Sequence, residues 1–282
     1  MLMSTDSLAL CYGLSCALAW GTGDFAGGMA ARRTDAFLVV LVSQLISMAP
    51  LALLIWWLHE PIPGAGSFGL GGVAGIFGAM GLIAFYQGLA SGRMGLVAPL
   101  TAVLTASIPV VYSITRDGLP YPSQLLGFPA AALAVWLLAT PRQKTPLRRR
   151  EALLSLVAGC GFGGFFIFIH LASTTQVLWP LLAARLASIT LLGGGLFALG
   201  RLRPPPLDRL PLIAATGLLD LLGNALFILA AQVGRLDVSV VVSSLAPGGT
   251  VLLAWIVLKE RLSPRQWAGV LSALAAIGLI AS

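Results

Sequence analysis

Residues 36–58 read AFLVVLVSQLISMAPLALLIWWL and contain no charged side chain. A helix needs about 20 predominantly apolar residues to cross the hydrocarbon core of a bilayer, and this stretch is long enough. Similar stretches recur along the chain, of which 58% is hydrophobic and 10% charged, whereas an ordinary soluble domain has roughly 25% charged residues. The composition therefore predicts an integral membrane protein. It excludes a cytosolic enzyme, a disordered chain and a nucleic-acid-binding module.

Ten apolar segments of this kind account for most of the 282 residues. They are apolar throughout, whereas the strands of an outer-membrane barrel alternate between polar and apolar residues. The connections are short and polar, so they leave no room for a soluble domain. We expect an all-α membrane protein whose helices lie near residues 7–28, 36–58, 68–90, 95–115, 121–140, 152–172, 177–199, 210–232, 236–258 and 266–282.

The two halves of the chain align with each other, without a gap, when the sequence is shifted by 142 residues. Matches in one register occur in four of the five segment pairs, and such agreement is stronger evidence than any single glycine match. The shift pairs Trp20-Gly21 with Phe162-Gly163, Gly75, Gly81 and Phe85 with Gly217, Gly223 and Phe227, Gly92-Arg93 with Gly234-Arg235, and Gln124 and Gly127 with Gln266 and Gly269.

Each half contains five predicted crossings, and this odd number makes the second half enter the membrane from the opposite side. The pattern predicts two inverted five-helix repeats, an architecture of many secondary transporters, with a substrate site near the midplane between them. We expect the first repeat over residues 1–140, a basic linker over 141–151 and the second repeat over 152–282. A chain that contains both repeats is expected to function as a monomer.

Three motifs in the second half carry a resemblance to a known family. They are Ser243-Ser244-Leu245-Ala246-Pro247, Leu258-Lys259-Glu260-Arg261 and Gln266-Trp267-Ala268-Gly269, with Trp20-Gly21 and Pro99 or Pro109 in the first half. This pattern resembles the EamA repeat of the drug/metabolite transporter superfamily, although the turn after the fourth segment departs from it and reads Arg116-Asp117-Gly118. The resemblance implies export of small metabolites, amino acids or drugs. Within the family, the two-repeat form resembles bacterial amino-acid exporters, including aromatic amino-acid exporters of the YddG type.

Basic residues are concentrated in every second connection. The connections between segments 1–2, 3–4, 5–6, 7–8 and 9–10 hold 14 Lys and Arg residues, and the other side, which carries both termini, holds two. Cytoplasmic loops carry the excess of basic residues in membrane proteins. We therefore expect a multi-pass protein of the cell's inner, or plasma, membrane with both termini on the outer side.

Three ionisable residues, Asp24, Arg185 and Asp220, lie inside the predicted segments. A charge at this depth costs about 2.5–3.5 kcal/mol on insertion scales and marks a functional or paired group. Asp220 is the deepest of the three, and Asn224 follows it at i+4 on the same helix face. We expect Asp220 to face a cavity, as a coupling group or as the partner of Arg185, whose side chain could instead extend towards the outer surface. Asp24 is interpreted either as a cavity residue or as an interfacial acid.

Aromatic and small polar side chains complete the candidate substrate site. Aromatic rings bury large apolar area, whereas hydroxyl, amide and charged groups orient a ligand. We predict that Trp20, Phe85, Tyr86, Phe162, Phe165, Phe227, Thr101, Asp220, Asn224, Ser243 and Ser244 contact the substrate, and that Asp24, Arg185 and Asp220 supply a coupling group or ion pair.

The predicted function is export of amino acids, including aromatic ones, by alternating access through a central cavity between the repeats. The alternative is efflux of drugs or cationic compounds by proton antiport, because Asp220 and the aromatic rings would attract a cation. An intramembrane enzyme is disfavoured because residues 13–17, GLSCA, lack the final Gly of a G-x-S-x-G motif. We expect a small-molecule substrate and membrane lipid as partners, with no cofactor, metal or nucleic acid.

Overall fold

The computed structural model describes residues 5–90, 94–138, 148–246, 248 and 263–281. This part of the chain is all-helical, as predicted, and contains ten α-helices and no β-strand. The helices are α1 (Thr5–Ala31), α2 (Ala36–Leu58), α3 (Ala65–Ala90), α4 (Met94–Asp117), α5 (Pro122–Leu138), α6 (Arg149–Ala172), α7 (Leu178–Ala198), α8 (Leu210–Val233), α9 (Leu236–Ser243) and α10 (Pro264–Ala281).

Five of the described helices, α2, α3, α6, α7 and α8, are long and apolar enough to cross a membrane. The bounds of the ten helices agree with the predicted segments to within a few residues for all except the ninth. There, α9 ends at Ser243, and most of the rest of the predicted segment lies outside the described residues. A multi-pass membrane protein is therefore confirmed, whereas the total of ten crossings stays a prediction.

The helices of one half pack on helices of the other half. In particular, α3 packs on α6 and α7, while α8 packs on α1 and α2. The helices α5 and α10 pack on each other. The two halves are therefore interdigitated, and the space between them is bounded by helices from both.

Two glycines allow particularly close helix crossings between the halves. A Cβ atom at Gly81 of α3 would lie 2.7 Å from Cδ1 of Phe162 in α6, and a Cβ atom at Gly223 of α8 would overlap the ring of Trp20 in α1. Small residues permit this kind of close backbone approach in membrane bundles. The 142-residue shift pairs Gly81 with Gly223 and Phe162 with Trp20, so the same packing occurs twice.

The two helices α2 and α7 occupy corresponding places in the repeats but begin differently. At the start of α2, the side chain of Asp35 accepts a hydrogen bond from the backbone N–H of Phe37 at 3.0 Å, as an N-cap does. At the start of α7, the carboxylate of Glu60 accepts hydrogen bonds from three successive N–H groups, those of residues 177–179, at 2.6, 3.0 and 3.1 Å. The free N–H groups of α7 are thus capped by the α2–α3 connection.

Further hydrogen bonds join the connections at this end of the bundle. Gln232 of α8 donates from Nε2 to the backbone oxygen of Ser173, between α6 and α7, at 2.8 Å. Arg235, between α8 and α9, donates from Nη2 to the backbone oxygen of Gly118, between α4 and α5, at 2.8 Å. Arg235 also contacts the buried carboxylate of Asp237 at 2.9 Å, and this bond raises the pKa of Arg235. We call residues 59–64, 118–121, 173–177 and 234–235 the bonded end.

Candidate functional site

A cavity lies between the two halves of the bundle. Its described lining comes from α1, α2, α3, α4, α6, α7, α8, α9 and the residues directly after α9, with no residue from α5 or α10. It holds about 870 Å³ of empty space, part of it open to solvent, and small-molecule sites occupy roughly 300–1,000 Å³. The sequence analysis named no residue of α2 as part of this site.

A hydrogen-bonded network of polar side chains forms one wall of the cavity. Arg185 of α7 donates from Nη2 to Oδ2 of Asp220 in α8 at 2.7 Å, and from Nη1 to Oε1 of Gln44 in α2. Asn224 donates to the same oxygen of Asp220 at 3.1 Å, and Ser188 donates to Gln44 at 3.3 Å. Arg185 is therefore paired with Asp220 rather than extended towards the surface.

Local sequence spacing aligns the members of this network. Asp220 and Asn224 are four residues apart on α8, and Arg185 and Ser188 are three residues apart on α7, so each pair shares a helix face. Gln44 was not predicted as a site residue, although it is 4% exposed and bonded to Arg185. The internal repeat contained a signal for Gln44, because the 142-residue shift places it next to the position of Arg185.

Aromatic rings form an apolar part of the lining. Phe85 and Phe162 contact each other edge to face, with ring centroids 5.7 Å apart. Trp20 lies 5.9 Å from Phe227 and 5.4 Å from Phe166. The 142-residue shift maps the first pair onto the pair formed by Phe227 and Trp20. Phe166 was not predicted as a site residue.

Asp24 lines the cavity one helical turn after Trp20 on α1. Tyr86 of α3 lies against the next turn of α1. The ring of Tyr86 fits beside Gly27, where a Cβ atom would lie 2.6 Å from it. The structure therefore places Asp24 at the cavity and not at the interface, which decides between the two interpretations of this residue.

The predicted site residues divide into those at the cavity surface and those behind it. Tyr86 and Phe227 are 1% and 0% exposed and are not part of the described lining. Pro247 and residues 258–261 of the family motifs lie outside the described residues. The predicted residues that line the cavity are Trp20, Asp24, Phe85, Thr101, Phe162, Phe165, Arg185, Asp220, Asn224, Ser243 and Ser244.

Two hydroxyl groups of α4 lie at the cavity without a hydrogen-bond partner among the described residues. Thr101 and Thr105 are 2% and 5% exposed, and they share a helix face because they are four residues apart. The Nε atom of Arg185 is likewise unpaired. Buried polar groups are nearly always satisfied, so these three groups indicate that the cavity accepts water or a polar ligand. Thr105 was missed, although its spacing from Thr101 was a usable signal.

The fold and the cavity define the class of the molecule, a multi-pass helical membrane protein with a small-molecule site between its halves. Comparison with known proteins agrees with this class. Residues 149–282, just under half of the chain, match the sequence model of the EamA-like transporter family. No curated protein matches the chain at a significant level.

A solved crystal structure superposes on 96% of this chain and 97% of its own, with a TM-score of 0.80 and 14% sequence identity. At this identity the likeness extends to the fold alone. The family match covers the second predicted repeat, which is the half that carries most of the motifs of the resemblance. The narrower likeness to YddG-type amino-acid exporters stays a prediction.

Proposed function

We propose that this protein is a secondary transporter that exports small metabolites, in the first place amino acids including aromatic ones. The observation that carries the proposal is the cavity between the halves, which combines aromatic walls, a charged network and unpartnered hydroxyl groups. The match of residues 149–282 to a transporter family supports it. The protein is not an enzyme in this proposal, and its other partner is membrane lipid.

An inverted repeat is part of the proposal, and the helix contacts support it. Each helix of one half has its counterpart five helices away along the chain, so α8, α1 and α2 correspond to α3, α6 and α7. The packing of α8 on α1 and α2 therefore corresponds to the packing of α3 on α6 and α7, and both are present. Gly217 of α8 lies against the backbone oxygen of Ser43 in α2, and Gly75 of α3 lies against that of Ala184 in α7. Two inverted five-helix repeats that rock against each other would expose the cavity to each side in turn.

The chemistry of the lining favours an amphiphilic substrate without a large negative charge. The rings of Trp20, Phe85 and Phe162 offer apolar surface, and the threonine hydroxyls offer hydrogen bonds. A strongly anionic substrate such as a sugar phosphate would need several basic groups, whereas Arg185 is the one Lys or Arg in the described lining. An amino acid with a bulky apolar side chain satisfies these conditions.

Efflux of organic cations is a second candidate. The described lining contains two carboxylates, those of Asp24 and Asp220, and one guanidinium group. This excess of acid attracts cations, and the aromatic rings add cation–π stabilisation. Proton antiport would additionally require one of the carboxylates to bind and release a proton during transport.

We further propose that both termini lie outside the inner membrane. The bonded end then faces outside, because the connections at that end are the ones poor in basic residues. A fusion reporter at Ser282 that is active only in the periplasm tests this orientation, and activity of a cytoplasm-specific reporter there would contradict it.

The function is tested by transport into liposomes that contain the purified protein. A panel of aromatic and aliphatic amino acids, organic cations and sugar phosphates is measured with and without a pH gradient. Ser244→Trp fills the cavity and is expected to lower amino-acid flux at least about 10-fold, because a substrate loses its space in the site. Leu271→Trp is the matched control, since its side chain in α10 is 65% exposed. Flux of sugar phosphates without flux of amino acids would overturn the proposal.

A further inference from the structure

We propose that the carboxylate of Asp24, at the surface of the cavity, is the subsite that binds the ammonium group of the substrate. The inference rests on the proposed function and specifies which group of the cavity recognises which group of the ligand. The sequence analysis favoured Asp220 for direct contact or coupling, because it is the deepest acid. The structure separates the two acids by their partners.

Asp220 is occupied by protein groups. It forms an ion pair with Arg185 at 2.7 Å and accepts a second hydrogen bond from Asn224 at 3.1 Å. Both contacts reach the same carboxylate oxygen, and Gln44 holds Arg185 from the other side. A substrate cation at Asp220 would have to compete with a guanidinium group that is already in place.

Asp24 has a different environment. It is part of no ion pair among the described residues, and Tyr86, which packs on the next turn of α1, is a neutral neighbour. It lies at the cavity surface and is partly exposed to that space. A carboxylate at membrane depth is stabilised by a counter-charge, and an ammonium group that enters the cavity supplies one.

The charges of the described lining lead to the same conclusion. Asp24, Arg185 and Asp220 are its ionisable side chains. Because Arg185 and Asp220 neutralise each other, Asp24 is the ionisable group of this described lining that has no charged partner. The cavity is therefore complementary to a ligand whose recognised group is a single cation.

The surroundings of Asp24 specify the rest of the ligand. Trp20 lies four residues earlier on the same face of α1, and the tryptophan face is the strongest aromatic partner for a cation. Phe85 and Phe162 provide apolar surface in the same cavity. Thr101 and Thr105 present unpartnered hydroxyls, which can donate to a carboxylate or another oxygen. These features indicate primary amines with an apolar body, and aromatic amino acids are one such class.

The test compares three probes of one shape, which are phenylethylamine, 2-phenylethanol and 3-phenylpropionate. Binding to the purified protein is measured by equilibrium dialysis with radiolabelled compounds. We expect the amine to bind at least about 10-fold more tightly than the alcohol, since a charge-assisted hydrogen bond is roughly twice as strong as a neutral one. We expect the carboxylate to bind most weakly.

The variants assign this preference to one residue. Asp24→Asn should reduce the ratio of amine to alcohol affinity to within about 3-fold of one, because the amide keeps the shape but loses the charge. Asp24→Glu and Tyr86→Phe keep the charge and should keep a preference for the amine. Asp208→Asn is the charge-matched control, because Asp208 is exposed and does not line the cavity, and it should leave the preference unchanged.

A preference that survives in folded Asp24→Asn overturns the inference, as does an equal loss of the preference in Asp208→Asn. If Asp24→Asn does not yield folded protein, loss of the preference in folded Asp24→Glu or in Tyr86→Phe overturns it. Failure of the proposed function has a different signature. Amine preference without flux of any compound would contradict transport and keep the subsite, whereas flux of amino acids without amine preference in the parent would contradict the subsite alone.

Discussion

The aromatic part of the cavity follows the internal repeat, whereas the charged part does not. The contact between Phe85 and Phe162 has an equivalent in the contact between Phe227 and Trp20, with centroid distances of 5.7 and 5.9 Å. The shift that relates these rings maps Asp220 onto Gly78. The scaffold of the site is thus shared by the two halves, and the charges that recognise a ligand come from single positions.

Electrostatics explains why the two parts differ. A ring packed on a glycine requires only complementary shape, and this requirement is met in both halves of the chain. A charge that was present in both halves would add a second like charge to the same cavity, and like charges at membrane depth repel each other. One buried ion pair avoids that repulsion. The asymmetry also leaves Asp24 without a second acid at the equivalent position, which is Phe166.

The largest effect is expected when the unrepeated ion pair is broken. Asp220→Leu leaves Arg185 buried without its counter-charge and should destabilise the protein by about 3–5 kcal/mol. Thermal unfolding of the purified variant in detergent measures this loss. Asp220→Asn keeps a hydrogen-bond acceptor and should lose less. The double variant Asp220→Leu/Arg185→Leu should recover much of the stability, and an equally unstable double variant would show that the pair is not the cause.

The next effect tests whether the repeated contacts are equivalent in energy. Gly81→Ala and Gly223→Ala each place a methyl group against an aromatic ring, and overpacking of this kind costs about 1–3 kcal/mol. The two losses in thermal stability should agree with each other closely. Gly195→Ala in α7 is the control, because nothing lies within 4 Å of its Cβ position. A large loss of stability at one glycine and none at the other would show that the two contacts are not equivalent.

A smaller effect is expected at the starts of α2 and α7, where corresponding helices are capped differently. Glu60→Ala removes an acceptor from three N–H groups of α7 and should cost about 1.5–3 kcal/mol, as for bonds to a charged group. Asp35→Ala removes one such bond from α2 and should cost about 1 kcal/mol. Chemical or thermal unfolding of both variants gives the difference, and a larger loss for Asp35→Ala would contradict it.

The smallest effect concerns the unpartnered threonines. Thr101→Val and Thr105→Val keep the side-chain shape and remove a buried hydroxyl group that has no partner among the described residues. Stability should stay the same or rise slightly, because an unsatisfied polar group is removed. Substrate affinity should fall by about 3- to 10-fold for each, the equivalent of one hydrogen bond of roughly 1 kcal/mol. Reduced stability with unchanged affinity would show that the hydroxyls serve the fold.

Much of the fold could be predicted from sequence because its causes are local. Apolar length alone placed the helices, and one register of matched residues, such as Gly81 with Gly223, indicated the repeat. The candidate site could be predicted in part, since a charge at membrane depth is rare enough to select Asp24, Arg185 and Asp220. Gln44 and Thr105 were missed, because a neutral polar residue in a membrane helix carries a much weaker signal.

The sequence by itself determined the membrane class, the number and approximate bounds of the apolar segments, and the pairing of the two halves. Only the tertiary structure decided that Arg185 is bonded to Asp220 and Gln44, that Asp24 lies at the cavity beside Tyr86, and that Glu60 caps α7. The physical reason is that a membrane helix is apolar both where it meets lipid and where it meets protein. Its sequence therefore lacks the polar–apolar periodicity that identifies the inward face of a helix in a soluble protein, and the neighbouring helices determine which side chains meet.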